Sequence, residues 1–247
     1  MIRKLFRKKK VLDPIDLSVL KVDMHSHLIP RIDDGSPSSE ISLQLLKRFE
    51  ALGYQKVITT PHTMVDYYKN TTEIIQSGAS RLKQKMSKAG LKIELDAASE
   101  YFMDEHFDKL VEQNDLLTFG KNYVLFELPM MSETSITKSV LFKLQMAGYR
   151  PILAHPERYA YWHREPAKLR EFHDRDILLQ VNINSLTGTY SPGAQKTAEW
   201  LIDQGLVDFV GTDCHHGGHL DLLNVARTLP YLHKVIESGK LKNHELI

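Results

Sequence analysis

Seven short apolar runs, each followed by a longer stretch of helical period, limit the architectures open to this chain. The runs fall at residues 21–25, 56–60, 92–97, 123–127, 151–154, 177–182 and 208–211. The segments between and after them, 38–52, 70–89, 104–114, 135–147, 166–173, 193–204 and 220–237, carry Ser, Asp or Pro near several starts and Gly at several stops. Those are the residues that helix ends favour. A strand-then-helix alternation repeated this often specifies an α/β protein with a parallel sheet or barrel. With 247 residues and no linker or low-complexity tract, one domain is expected over residues 21–247, preceded by a basic extension over residues 1–20.

Composition excludes several classes. A hydrophobic content of 42% with 26% charged residues is globular rather than disordered or coiled-coil. The single cysteine, Cys214, rules out an internal disulfide framework, and no uncharged apolar run is long enough to span a bilayer, so a cytoplasmic protein is expected. The net charge of +1 is unevenly spread. Arg3, Lys4, Arg7, Lys8, Lys9 and Lys10 supply six positive charges, and removing them leaves −5 for residues 11–247. A solvated tail accounts for this stretch. The interleaved Ile2, Leu5 and Phe6 also suit peripheral contact with the inner, anionic face of a membrane. Nucleic acid is not an expected partner, because the acidic body does not extend the basic patch.

Chemistry gathers where the apolar runs end. The first leads into His25 and His27, two apart and so able to share a face, with Asp34 on the following loop. The second leads to His62, the third to Glu100, the fourth ends in Glu127, the fifth leads to His155, and the seventh to Asp213 and His215. In a parallel barrel these ends meet at the C-terminal mouth. Buried imidazoles and carboxylates are costly unless paired or ligating, so their recurrence here points to a metal centre. The thiolate-free donor set suits Mn, Fe, Zn or Co. Cys214, the middle residue of Asp-Cys-His, should point away from the ligands as a packing residue. Loops 63–69 and 184–192 bring Tyr67, Tyr68 and Tyr190 to the region that shapes a barrel opening.

Taken together, D-M-H-S-H-L-I-P from Asp23, D-D-G from Asp33, T-P-H from Thr60, E-Y at Glu100, F-E-L-P from Phe126, A-H-P-E-R-Y from Ala154 and T-D-C-H from Thr212 resemble the motifs of the PHP (polymerase and histidinol phosphatase) superfamily. The combination is similar to its metal-dependent tyrosine phosphatases of bacterial capsule and exopolysaccharide operons. The resemblance implies a distorted (β/α)7 TIM-like barrel and three divalent metal ions, manganese first, with iron, zinc or cobalt as alternatives. It places His25, His27, Glu100 and Asp213 on one ion. Glu100, Glu127 and His155 fall on a second, and Asp34, His62 and His215 on a third. It also implies that Arg158 faces the substrate, and a guanidinium fork suits phosphate oxygens. The chain departs from the pattern at Arg31 and at His216-Gly217-Gly218-His219, where no second phosphate-binding arginine is found. Arg31 or the extra histidines are candidates for that role.

The expected function is hydrolysis of phosphotyrosine through a metal-bridging hydroxide, with His215 or a bound water assisting the leaving phenolate. The resemblance further implies a membrane-associated tyrosine autokinase as partner substrate. Cysteine-based chemistry is excluded, because C-x5-R counted from Cys214 ends on Leu220. The alternatives are a small-molecule phosphoesterase such as a histidinol-phosphate phosphatase, and a non-catalytic metal-binding module.

Overall fold

The computed structural model describes residues 12–247. The basic stretch Arg3 to Lys10, and the membrane contact expected of it, lie outside the described residues. Residues 12–20, grouped above with the extension, lie against the body. The Leu12 and Ile15 amides donate to the Thr228 and Arg227 carbonyls, and a 3-10 turn at Leu17–Leu20 buries both of its leucines. Among the described residues no helix is long and apolar enough to cross a membrane.

The strands are β1 (Val22–Asp23), β2 (Lys56–Thr59), β3 (His62–Thr63), β4 (Glu94–Ala97), β5 (Glu100–Phe102), β6 (Tyr123–Glu127), β7 (Arg150–Ala154), β8 (Leu178–Asn182) and β9 (Phe209–Gly211). Every ladder is parallel, in the orders β1-β2-β4 and β3-β5-β6-β7-β8-β9. The second and third apolar runs each form one strand, β2 and β4, and each is followed two residues later by a further short strand, β3 or β5, that pairs in the other sheet. Pro61 between β2 and β3 has no N–H to give to a ladder, so the chain leaves one sheet and re-pairs in the other. The first run is a ladder only at Val22–Asp23, yet its extension is tied to the last one. The Asp213 amide donates to the His25 carbonyl and the His27 amide to the Cys214 carbonyl, both at 2.9 Å. These bonds link the first strand to the last, and the fold is a distorted TIM-like barrel of seven βα units.

Helices cover the outside: α1 (Ser39–Ala51), α2 (Thr72–Lys88), α3 (Glu105–Gln113), α4 (Thr137–Met146), α5 (Lys168–His173), α6 (Pro192–Gln204), α7 (Gly217–Ala226) and α8 (Pro230–Glu237). Ser38, Thr71, Asp104 and Ser191 cap four of them, each side chain accepting a first-turn amide. One helix expected over 220–237 is two, because Pro230 cannot continue α7 and instead starts α8. The larger apolar cluster lies between strands and helices, with Val124, Phe126, Leu153 and Leu179 turned toward it. A smaller one, including Val22, Met24, Ile58, Leu125, Ile152 and Leu178, takes the opposite faces of these strands. Leu125 shares a face with Glu127, and Leu178 with Gln180 and Asn182, so a polar layer sits one strand step above that cluster.

Candidate metal centre

The nine His and carboxylate residues picked out by the sequence converge at the strand ends. Ligand atoms within 4.8 Å of one another form four overlapping sets: His27, Asp34, His62 and His215; His25, Glu100 and His155; His25, His27 and Asp213; and His62, Glu100 and Glu127. Glu100 is the hub. Its Oε1 lies 2.9 Å from His155 Nε2, while Oε2 lies 3.1 Å from His25 Nε2 and 3.2 Å from His62 Nδ1. His25 Nε2 and His27 Nε2 are 3.3 Å apart, so the H-x-H pair does aim at one point. The resemblance puts Glu127 with His155, but Glu127 Oε1 is 3.2 Å from His62 Nδ1 and its Oε2 is 3.9 Å from His155 Nε2. His62 also reaches Asp34 Oδ1 with Nε2, at 3.5 Å. A neutral imidazole has one lone pair, so His62 can serve only one of its two groups.

Two of these strand ends leave the β region through left-handed backbone, His155 at φ 35° and Asp213 at φ 50°. Such conformations cost roughly 1–3 kcal/mol for a non-glycine residue and persist where the surroundings impose them. Two glycines give the histidines room. A Cβ on Gly35 would collide with the His27 carbonyl and Cβ, and one on Gly211 would come within 2.9 Å of His25 Cβ.

Electrostatics here follow from burial and close opposite charge. Burial disfavours a charged His25, but the Glu100 and Asp213 carboxylates outweigh it and hold the imidazole up at about 9. His27 is raised against burial by Asp33 and Asp213. Burial would likewise raise Glu100 and Asp213, yet the surrounding imidazoles, His25 foremost, keep both well below the usual carboxylate range. Asp34 is drawn down to about 2 by its bond with His215, against the opposing effect of burial. These donors fit divalent cations on a local test. His62 Nδ1 is buried within 3.2 Å of two carboxylate oxygens, yet makes a hydrogen bond with neither. A nitrogen aimed between two carboxylates is arranged as a ligand rather than as a donor to either one.

A cavity of about 440 Å³ opens over the cluster. Arg158 lines it, with Nη1 donating to Asp213 Oδ2 at 3.0 Å and Cζ 4.6 Å from the centre of the Tyr190 ring. Tyr68 lines it too, stacked on His62 at 5.5 Å between ring centres. Of the candidates for a second phosphate contact, His216 and His219 line the cavity, whereas Arg31 is turned aside and donates from Nε to the Pro37 carbonyl. Cys214 is fully buried in the larger apolar cluster, and burial pushes its thiol up. No thiolate nucleophile is available there.

Several residues that hold this site together carry no assigned role in the sequence reading, although Asp33 and Glu157 fall inside its motifs. Asp33, not only Asp34, takes part: its Oδ2 is 2.8 Å from His27 Nδ1, while Oδ1 accepts the Gly35 amide. Gln180 Oε1 lies 2.8 Å from His25 Nδ1, and Asn182 Nδ2 donates to Asp213 Oδ2 at 2.7 Å. Glu157, fully buried, accepts from the Asn182 amide and the Ser185 hydroxyl. Such partners fix ring orientation and tautomer behind a ligand. Two amides spaced two apart in a wholly buried strand were the available signal for Gln180 and Asn182.

Fold and site together define a TIM-like barrel whose mouth carries several imidazole and carboxylate groupings able to hold metal ions. The chain belongs to the CpsB/CapC family of capsular polysaccharide synthesis, whose model matches residues 21–238. It is 25% identical to the tyrosine-protein phosphatase YwqE of Bacillus subtilis over 196 residues, 79% of this chain and 77% of that protein. It is 24% identical to the tyrosine-protein phosphatase CpsB of Streptococcus pneumoniae over 202 residues, 79% and 83% of the two chains. A crystal structure from the work on those two proteins, described as metal-dependent tyrosine phosphatases, superposes with a TM-score of 0.76 at 22% identity, covering 89% of this chain and 87% of that one. Histidinol phosphate phosphatase of Lactococcus lactis shares the fold more distantly, with a TM-score of 0.53 at 14% identity over 90% and 94% of the two chains. The likeness inferred from the motifs to the tyrosine phosphatases of capsule synthesis therefore holds at the level of the CpsB/CapC family.

Proposed function

We propose that this chain is a metal-dependent protein tyrosine phosphatase, acting in the cytoplasm on a membrane-associated tyrosine autokinase that controls capsule or exopolysaccharide synthesis. The observation that carries the reading is the convergence of nine ligand-type side chains beneath a cavity lined by Arg158. The family match and the named activity of the relatives support the substrate class and the capsule setting.

Three divalent cations, manganese first, would be held by His25, His27, Asp34, His62, Glu100, Glu127, His155, Asp213 and His215. When bound, they supply Lewis acidity toward the phosphoryl oxygens and a water nucleophile active near neutral pH. Arg158 offers its guanidinium to the phosphoryl group and balances the charge that grows there. Asp213 and the Tyr190 ring hold that guanidinium in place from two sides. Tyr68 and Tyr190 wall the cavity around the aryl ring of the substrate.

His215 has two candidate roles, ligand and proton donor. Its Nδ1 is 2.9 Å from the Asp213 carbonyl, which fixes the proton there, and its Nε2 is 3.4 Å from Asp34. One nitrogen remains, facing Asp34, and this favours the ligand role. The test is turnover by one purified sample, with manganese and with chelator, of a phosphotyrosine peptide, a phosphoserine peptide and histidinol phosphate. The reading requires metal-dependent turnover of the first above the other two. Preferred turnover of histidinol phosphate would establish the small-molecule alternative, and no turnover of any would favour a binding module.

A further inference from the structure

Two segments leave the barrel mouth carrying apolar side chains that the interior does not use. The first follows His62 and is a tight loop: the Met64 amide donates to the Tyr68 carbonyl at 3.0 Å, and the Tyr68 amide returns a bond to Met64 at 2.7 Å. Behind it, Asn70 Nδ2 donates to the Ile32 and His62 carbonyls. The loop is thus braced, and Tyr67 stands at its tip, 76% exposed. The second segment follows Glu127. The Tyr159 hydroxyl accepts the Leu128 amide and the Tyr161 hydroxyl donates to the Pro129 carbonyl, after which Met131 projects at 89% exposure.

Ten large apolar side chains are exposed among the described residues, and four of them, Val65, Tyr67, Met130 and Met131, belong to these two short segments, Tyr67 and Met131 most strongly. Concentration of that kind beside a site marks a binding surface. Its relation to the cavity identifies the occupant. Met64, Tyr68 and Met130 line the cavity, but Val65, Tyr67 and Met131 lie outside its lining. A small phosphomonoester confined to the cavity would leave those three untouched. A polypeptide whose phosphorylated side chain enters the cavity must carry its neighbouring residues out across the rim.

We propose that Tyr67 and Met131, with Val65, form a docking ledge for apolar residues flanking the phosphotyrosine of a polypeptide substrate. The ledge rests on the phosphatase reading for the nature of the group in the cavity. It adds a preference about the residues on either side. Flexible methionine beside a rigid aromatic ring suits apolar partners of varied shape.

The experiment separates the two claims by measuring binding as well as turnover. Two fluorescent peptides carrying a non-hydrolysable phosphonate analogue of phosphotyrosine, one with apolar flanks and one with Gly/Ser flanks, are titrated with manganese-loaded protein. The wild type is expected to bind the apolar peptide about tenfold more tightly, and Tyr67→Ser/Met131→Ser is expected to abolish that difference. Turnover of p-nitrophenyl phosphate by the double variant should stay within about twofold, because neither side chain lines the cavity. Equal affinity of the wild type for both peptides, a preference retained by the variant, or equal losses on peptide and aryl phosphate would each overturn the ledge. Failure of the loaded wild type to hydrolyse any phosphotyrosine substrate would instead overturn the phosphatase reading, whatever the binding data show.

Discussion

The Arg158 guanidinium and the Asp213 carboxylate meet at 3.0 Å, and Asp213 turns its other oxygen, Oδ1, to within 3.4 Å of His25 and His27. One carboxylate therefore joins the cavity-lining arginine to the cluster of ligand-type side chains. Arg158→Lys keeps the charge but loses the planar fork and its stacking on Tyr190. It should lower kcat/KM for phosphotyrosine peptide by about 100-fold, roughly 2.7 kcal/mol, with metal content by elemental analysis unchanged. A variant within threefold of wild type would show that Arg158 is a rim salt bridge and nothing more.

Asp33 orients His27 through Nδ1 and also accepts the Gly35 amide. Asp33→Asn keeps the shape and removes the charge, so His27 loses the partner that sets its tautomer. Manganese affinity should fall by roughly 10- to 100-fold, the usual range for losing a partner behind a ligand. Competition with a fluorescent chelator reads this directly, and an unchanged affinity would remove Asp33 from the site.

Gly35 has no room for a side chain, since a Cβ there meets His27 backbone. Gly35→Ala should destabilise the protein by about 1–3 kcal/mol through overpacking, and should weaken metal binding because the strained segment carries both Asp33 and Asp34. Denaturant unfolding combined with the same chelator assay checks both effects.

In metal-free protein the cluster holds protons where cations would sit, which gives stability a pH dependence. His25 is held up at about 9 against its ordinary 6.5, with burial opposed and outweighed by Glu100 and Asp213. A raised imidazole contributes stability that is complete below pH 6.5 and is lost as pH rises through about 9, and His27 acts in the same direction. Glu100 and Asp213 are depressed, so their contribution is present above the ordinary carboxylate range and is lost in acid, as pH falls through their lowered folded values. Chelated protein should therefore melt at progressively lower temperature from pH 6.5 to 9, while manganese-loaded protein should not, because cation binding requires the imidazoles neutral. Parallel melting curves for the two forms would contradict this.

The seven βα units were readable because each strand is an apolar run and each helix has the other period. Strand breaks were less readable. Pro61 stops β2 for want of an N–H, yet His62 resumes pairing at once with Glu100 as partner, a tertiary register that no local pattern encodes. The split before Pro230 is encoded locally, because a proline there opens α8 rather than prolonging α7. At the site, charged residues at strand ends stood out against apolar surroundings, so all nine clustered residues were found. Gln180 and Asn182 did not stand out, because an uncharged amide inside an apolar strand resembles ordinary core. Their strand was the one assigned no ligand, and it contributes the hydrogen bonds to His25 and Asp213 instead. Asp33 and Asp34 could be separated only by geometry, one reaching back to His27 and the other toward His62 and His215.

Anomalous diffraction at the manganese edge, from crystals grown with manganese, tests the central claim most directly. Three peaks inside the cage are expected: one among His25, His27, Glu100 and Asp213, one beside Glu100 and Glu127, and one beside Asp34 and His215. Empty density there, or manganese bound only at the protein surface, would contradict the account.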